Sequence, residues 1–266
     1  MDLSKVTYLS IVPNKSSKPY QDIDSIVKIG NQSSSKLNFG KKIIYTYKEP
    51  TIDPGDFEIK IIDEVPYEDF NEYITEFYAN SFDTEFMINF HCDGFIQKPE
   101  AWNDNFLNYD YIGAPIILNF QNINKSSQNT VFPVIGNGGF SLRSKKLCQK
   151  IKKLKEINYL PKYLNCFNGS FISEDFYQKL PFYFRHEDVY IGLFCKDILE
   201  SYGFKFPDEN IASMFSTEHY GFKNGELSFD YDIYTNSFGF HEIENLQRRC
   251  KQIKNFRVDL QKKIAV

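Results

Sequence analysis

No apolar run in the 266 residues approaches membrane-spanning length, so the sequence contains no candidate transmembrane helix. The opening MDLSKVTYLSIVPNK has neither a long apolar core nor a small-residue cleavage site, and a cytoplasmic location is expected. Cysteines number only five, scattered and without a CxxC pair. That spacing argues against a thiolate zinc site and for reduced thiols. Long basic runs are missing too, and the net charge is −4 with a pI near 5.7, so nucleic acid is not expected as a partner. The densest basic stretch, KKLCQKIKKLK at 145–155, places Leu147, Ile151 and Leu154 at helical spacing, which assigns its lysines to a solvated helix face. Neither an internal repeat nor a Pro/Gly/Ser linker divides the chain. One domain over residues 1–266 is expected, with a nucleotide-binding half to about 115 and a variable half from about 116, ending in a helix.

What is present is a hydrophobic fraction of 42% and an aromatic fraction of 17%, carried by 26 Phe and 18 Tyr against one Trp. This composition belongs to a globular chain with a sizeable core. VTYLSIV, KKIIYTY, FEIKIIDEV and EFMINF read as buried strands. DIDSIVKIG reads as a short helix closed by Gly30, followed by the loop NQSSSK. Phe70, Ile74 and Phe77 give the clearest amphipathic helix, with Pro66 at its start. The alternation predicts an α/β fold with a mostly parallel central sheet covered by helices. Further on, residues 119–130 read as a polar loop, EDVYIGLFCKDILESYG as one helix with Gly203 as its C′ cap, and EIENLQRRCKQIKNF as a final helix.

Three short stretches carry candidate chemistry. EFMINF runs into HCDG, and ligands in open parallel sheets sit beyond the carboxyl ends of strands. His91 and Asp93, two apart, face one side of an extended chain and can approach one cation; oxygen and imidazole together suit Mn2+ better than Mg2+. Asp-Gly is equally a recipe for a plain turn. RHEDVYIG sets Glu187 and Asp188 at a helix start, either to complement the helix dipole or to supply a general base. GNGGFSLRS gathers Gly136, Gly138 and Gly139 around Asn137, either as a sharp turn or as backbone meant to approach a ligand closely.

NFHCDGF, NYDYIGAP, GNGGFSLRS, HEDVYIG, FSTE and FGFH, in this order over roughly residues 40–243, resemble a family of glycosyltransferases of the GT-A fold described mainly as a domain of unknown function. EDVYIG is also similar to the Glu-Asp-Val motif of β-1,3-galactosyltransferases and fringe-like enzymes. The resemblance implies transfer of a sugar from a nucleotide-sugar, most simply a UDP-sugar, to a glycan hydroxyl, with inversion. It implies Asp188 as base and Glu187 orienting the acceptor. A cation, Mn2+ or Mg2+, would be held by Asp93, His91 and the late His241, although His91 stands where the family pattern has its first Asp. Asp110, Asn137, Gly138, Gly139, Ser141, Arg143 and Glu218 are the implied substrate-binding positions. Arg143 would pair either with a phosphate or with a carboxylate of the protein. A sugar-binding module on the same fold is the alternative. A nucleotidyltransferase fits less well, since IVPNKSSKPY lacks the glycines of a phosphate loop.

Overall fold

The computed structural model describes residues 1–14, 22–66, 69–119, 131–161, 177, 186–218, 221–223, 226–228 and 236–241. Strand β1 (Asp2–Val12) is buried along its second half and leads to α1 (Ile23–Ser34), whose start is fixed by the Asp22 side chain accepting from the Ser25 N–H at 2.8 Å. Then come β2 (Asn38–Thr46), β3 (Glu58–Ile61), α2 (Phe70–Phe77), β4 (Phe86–Phe90) and β5 (Gly94–Ile96). After two 3-10 turns follow β6 (Tyr111–Ile112), β7 (Ala114–Asn119), β8 (Val131–Gly136), β9 (Phe140–Ser144) and α3 (Lys145–Glu156). The remaining elements are α4 (Glu187–Val189), a π-helical turn Tyr190–Phe194, α5 (Lys196–Ser201), α6 (Glu209–Phe215), β10 (Ser216–Thr217), β11 (Gly221–Lys223), β12 (Glu226–Ser228) and β13 (Gly239–His241).

The α/β architecture expected from the sequence is present. A six-stranded sheet has the order β3-β2-β1-β4-β9-β6. Strands β3, β2, β1 and β4 are parallel neighbours, whereas β9 runs antiparallel to both β4 and β6. Chain order reverses between β1 and β4, and the carboxyl ends of these two strands open onto the crevice where ligands bind in such sheets. One face of the sheet is packed by a stack in which Tyr8 lies 4.9 Å from Phe39 and 4.1 Å from Phe90. Leu9, Ile43, Met87, Ile74 and Tyr78 fill another cluster with α2. Among the described residues no helix is long and apolar enough to cross a membrane.

Two helices differ from the sequence reading. Gly30 does not end α1, and residues 31–34 are helix rather than loop. Ser34 Oγ donates to the Gly30 carbonyl at 2.6 Å, and Ser33 Oγ lies 3.0 Å from the Tyr8 hydroxyl, so the serines are satisfied within the helix and the core. The stretch from Glu187 to Ser201 is not one α-helix. Its middle widens into a π-turn, closed by Cys195 N–H to Tyr190 O at 2.8 Å. Gly203 does serve as the cap, with φ +83° and the paired bonds Phe204 N–H to Leu199 O and Gly203 N–H to Glu200 O. The loop at 119–130 beyond Asn119 and the helix expected after 241 lie outside the described residues.

Gly30 is held by space. A Cβ there would lie 2.7 Å from the Phe57 ring and 2.9 Å from the Phe90 ring, and Phe90 is already clamped against Tyr8. Helix propensity favours Ala by about 1 kcal/mol, but overpacking costs about 1–3 kcal/mol, so Gly30→Ala is expected to lower stability by roughly 1–2 kcal/mol. Urea denaturation of the two proteins checks the sign; a gain in stability would show that the aromatic stack yields.

Candidate active site

Strand β4 ends in a tight reversal. His91 N–H donates to Gly94 O at 2.8 Å, so Cys92 and Asp93 form the tip before the chain returns as β5. Strand β5 joins a second small sheet of order β10-β13-β5. Antiparallel pairing of β13 with β5 sets His241 opposite Gly94, and this register carries His241 to the tip of the β4 turn. His241 Nε2 lies 3.6 Å from Asp93 Oδ1. One ligand atom from each of His91, Asp93 and His241 falls within 4.8 Å of the others. The His91 Nε2 is out of solvent and has no hydrogen-bond partner among the described residues. Desolvation drives the His91 pKa down to about 4, with His241 adding to the fall and Asp93 opposing it. The ring is therefore neutral at physiological pH, the form that ligates a metal.

The turn between β8 and β9 holds the glycine cluster. Asn137 adopts φ +85°, and its Oδ1 accepts from the N–H groups of Gly139 at 2.9 Å and Phe140 at 3.0 Å. A Cβ on Gly138 would lie 2.5 Å from Glu187 Oε1, and one on Gly139 would lie 2.0 Å from His241 Nε2. The room these glycines leave is occupied by the chain's own carboxylate and imidazole. Asp188 Oδ2 accepts from the N–H of Asn137 at 2.6 Å and of Gly138 at 3.1 Å, which fastens the turn to the first residues of α4.

Behind the turn lies a buried ion pair. Arg143 Nη2 donates to Glu187 Oε1 at 2.8 Å, with both side chains almost fully buried. The guanidinium carbon lies 4.9 Å from the centroid of Tyr78 and 5.6 Å from that of Tyr111, and Nε donates to Ser141 Oγ at 3.0 Å. Of the two partners open to Arg143 from the sequence, the carboxylate within the protein is the one it meets. Burial pushes Glu187 up, but the charge and hydrogen bond of Arg143 outweigh it and leave the carboxyl below its ordinary value. Among the described residues no Arg or Lys ion pair is found at Asp188. Burial first, then the neighbouring Glu187 charge, raises it to about 6.

Glu218 follows β10 and its Oε1 lies 3.8 Å from His241 Nδ1. The structure thus gathers His91, Asp93, His241 and Glu218 around one turn, and Gly138, Gly139, Asn137, Glu187 and Asp188 around the next, joined where Gly139 meets His241. Asp110 stands apart in its contacts. Its carboxylate accepts from Ser144 Oγ at 2.6 Å and Lys205 N–H at 2.9 Å and pairs with Lys146. Ser141 is wholly buried beneath Arg143. Sequence reasoning missed Asn89 and Tyr78. The Tyr78 hydroxyl donates to Asn89 Oδ1 at 2.8 Å, and Asn89 Nδ2 donates to the Gly138 carbonyl, so the glycine turn is also tied to α2. A lone amide inside FMINF was the available signal.

Removing one member of a buried ion pair leaves the other charged and unpaired, at a cost of about 3–5 kcal/mol. Arg143→Met is expected to lose this much in urea denaturation, and Arg143→Met combined with Glu187→Met to recover most of it. A double variant as unstable as the sum of both single losses would contradict the coupling.

No curated protein matches the chain. Solved structures similar to it include the following two. HddC from Yersinia pseudotuberculosis has 13% identity and a TM-score of 0.36, with 56% of this chain and 79% of that chain covered. The galactosyltransferase LgtC, solved with donor and acceptor sugar analogues, has 9% identity and a TM-score of 0.49, with 100% of this chain and 95% of that chain covered. Residues 64–241, which hold both site turns, match the family described as protein of unknown function DUF5672, and the chain belongs to that family.

Proposed function

We propose that the chain is a metal-assisted glycosyltransferase that moves a sugar from a nucleotide-sugar to a hydroxyl of a glycan acceptor, with inversion at the anomeric carbon. The observation that carries the reading is the meeting of two unlike groups at the crevice end of β4: a neutral-imidazole and carboxylate cluster, and a buried carboxylate whose pKa is raised to about 6. The residues fit a cation. His91, Asp93 and His241 offer two nitrogens and an oxygen, His91 Nε2 is unpartnered among the described residues, and this mixed donor set favours Mn2+ over Mg2+. A cation held there would neutralise charge on a departing diphosphate.

Asp188 acts as the base. A carboxylate with pKa about 6 is ionised at pH 7 yet more basic than an exposed aspartate, which suits proton abstraction near neutrality. The N–H groups of Asn137 and Gly138 hold Oδ2 in one orientation. Oδ1, which accepts one bond from the Val189 N–H and keeps a lone pair, takes the proton from the acceptor hydroxyl as that oxygen attacks the anomeric carbon from the face opposite the departing nucleotide diphosphate. Glu187, engaged by Arg143, acts on the chemistry through its charge: it stays ionised beside Asp188 and keeps the latter basic. The reading places the donor against the parallel half of the sheet and the acceptor against the glycine turn.

Asp188→Asn keeps the size and one acceptor oxygen for the turn while removing the basicity. With a nucleotide-sugar identified by thermal-shift screening, kcat is expected to fall roughly 10²–10⁴-fold with donor affinity unchanged. The wild-type rate should be full above and lost below an acid limb near pH 6, because a raised carboxyl protonates on that side. Near-normal kcat in Asp188→Asn would reduce Asp188 to a fastener of the turn.

A further inference from the structure

Asn89 is a buried amide in the otherwise apolar strand β4. Both of its ends are used, and only one assignment of them is chemically possible. The Gly138 carbonyl can only accept, so the end of Asn89 that faces it is Nδ2. Oδ1 then faces the Tyr78 hydroxyl, which donates to it at 2.8 Å. The register of β4 against β9 sets Asn89 beside Ser141 and Met87 beside Arg143, so Asn89, Ser141 and Arg143 share one face of the sheet. Tyr78, just after α2, meets both polar arms of this face. Its hydroxyl holds Asn89, and its ring lies 4.9 Å from the guanidinium of Arg143, which holds Glu187. The arms converge again at Gly138, where an added Cβ would lie 2.5 Å from Glu187 Oε1.

We infer that Asn89, anchored by Tyr78, is a positioning residue for Asp188: by holding the Gly138 carbonyl it fixes the turn in the orientation in which the N–H groups of Asn137 and Gly138 both point at Asp188 Oδ2. Gly138 is clamped on both sides, its carbonyl by Asn89 and its N–H by Asp188. Asn137 stands at φ +85°, a conformation that turns successive N–H groups toward one anion. Glycine offers no side chain to resist rotation of its peptides, so without the Asn89 clamp Oδ2 loses its second donor. With Oδ2 held, Oδ1 is the oxygen left for the acceptor proton. Asn89 acts on the carboxylate through the turn and touches no substrate. The other titratable groups around Asp188 are Glu187 and His186 on its own segment, Glu218 after β10 and Tyr111 on β6, with Arg143 of β9 behind Glu187; a change at Asn89 leaves each of them in the chain. The inference rests on the proposed role of Asp188 for its purpose, but the two N–H bonds are a property of the ligand-free protein.

The test compares wild type with Asn89→Leu, with Asn89→Leu combined with Tyr78→Phe, and with Tyr78→Phe alone. The double variant removes both polar partners together and so leaves no buried hydroxyl unpaired. NMR titration of the ligand-free protein follows the Gly138 amide proton and the Asp188 side-chain carboxyl carbon, the latter assigned from its loss in Asp188→Asn. In wild type the two are expected to titrate together near pH 6. In the Asn89 variants the Gly138 amide is expected to stop following the carboxyl. The carboxyl midpoint should then rise by about one pH unit, because N–H donors hold a carboxylate's pKa down, and the acid limb of kcat/KM should move with it. Tyr78→Phe keeps the ring, is expected to give a smaller change in the same direction, and decides the matter should the Asn89 variants not fold. A lowered melting temperature with wild-type Gly138 and Asp188 titrations overturns the inference and leaves Asn89 a structural tie. Independent titration of Gly138 and Asp188 in wild type overturns it as well. Altered titrations together with normal kcat in Asp188→Asn uphold the positioning of the carboxylate and remove its role as base.

Discussion

The Arg143–Glu187 ion pair is the constraint on which the rest of the site depends. It joins β9 to the first residue of α4 from deep inside the fold, between the rings of Tyr78 and Tyr111. Stability alone is a poor reason for such a pair, because desolvating two charges offsets most of their attraction. Its consequence for the neighbouring residue is a better one. Glu187 and Asp188 are adjacent and both buried, yet among the described residues the Arg143 guanidinium pairs with the first alone. Glu187 is held below its ordinary pKa, and its persistent charge helps lift Asp188 to about 6. Two carboxylates driven apart in this way can take different roles at one pH.

The three-stranded sheet performs a second task, that of bringing distant residues together. His91 and Asp93 arrive on the turn after β4, Glu218 after β10 and His241 at the end of β13. Pairing of β13 with β5 on one side and β10 on the other makes them neighbours. The glycine turn then locks onto this assembly, with Gly138 against Glu187 and Gly139 against His241. Asn89, itself held by the Tyr78 hydroxyl, holds the turn from behind by donating to the Gly138 carbonyl. The groups proposed to hold a cation and to act as base are therefore supported by a continuous set of side chains, and displacement of one turn would displace the other.

Much of this was legible in the sequence where the signal is local. The α/β class followed from apolar runs alternating with an amphipathic helix, and Gly203 announced its cap. The tip position of Asp93 followed from EFMINF preceding HCDG. What was not legible depends on partners far along the chain. Gly30 has the composition of a helix stop, and only the rings of Phe57 and Phe90 explain why it lies inside α1. The antiparallel β9 cannot be told from a parallel strand by its own residues. Arg143 carried no mark that distinguished a phosphate from Glu187 as its partner. The glycines announced a close approach, but the approaching groups belong to the protein itself.

Metal-assisted binding of a nucleotide-sugar at the turn after β4 is the central claim, and calorimetric titration of UDP-sugars tests it most directly. Titrations of wild type and Asp93→Asn would be run with Mn2+ and with a chelator. The account predicts that one UDP-sugar binds wild type only when Mn2+ is present, and that Asp93→Asn loses this dependence together with the binding while its fold, followed by circular dichroism, is retained. Binding of equal strength in chelator and in Asp93→Asn would contradict it.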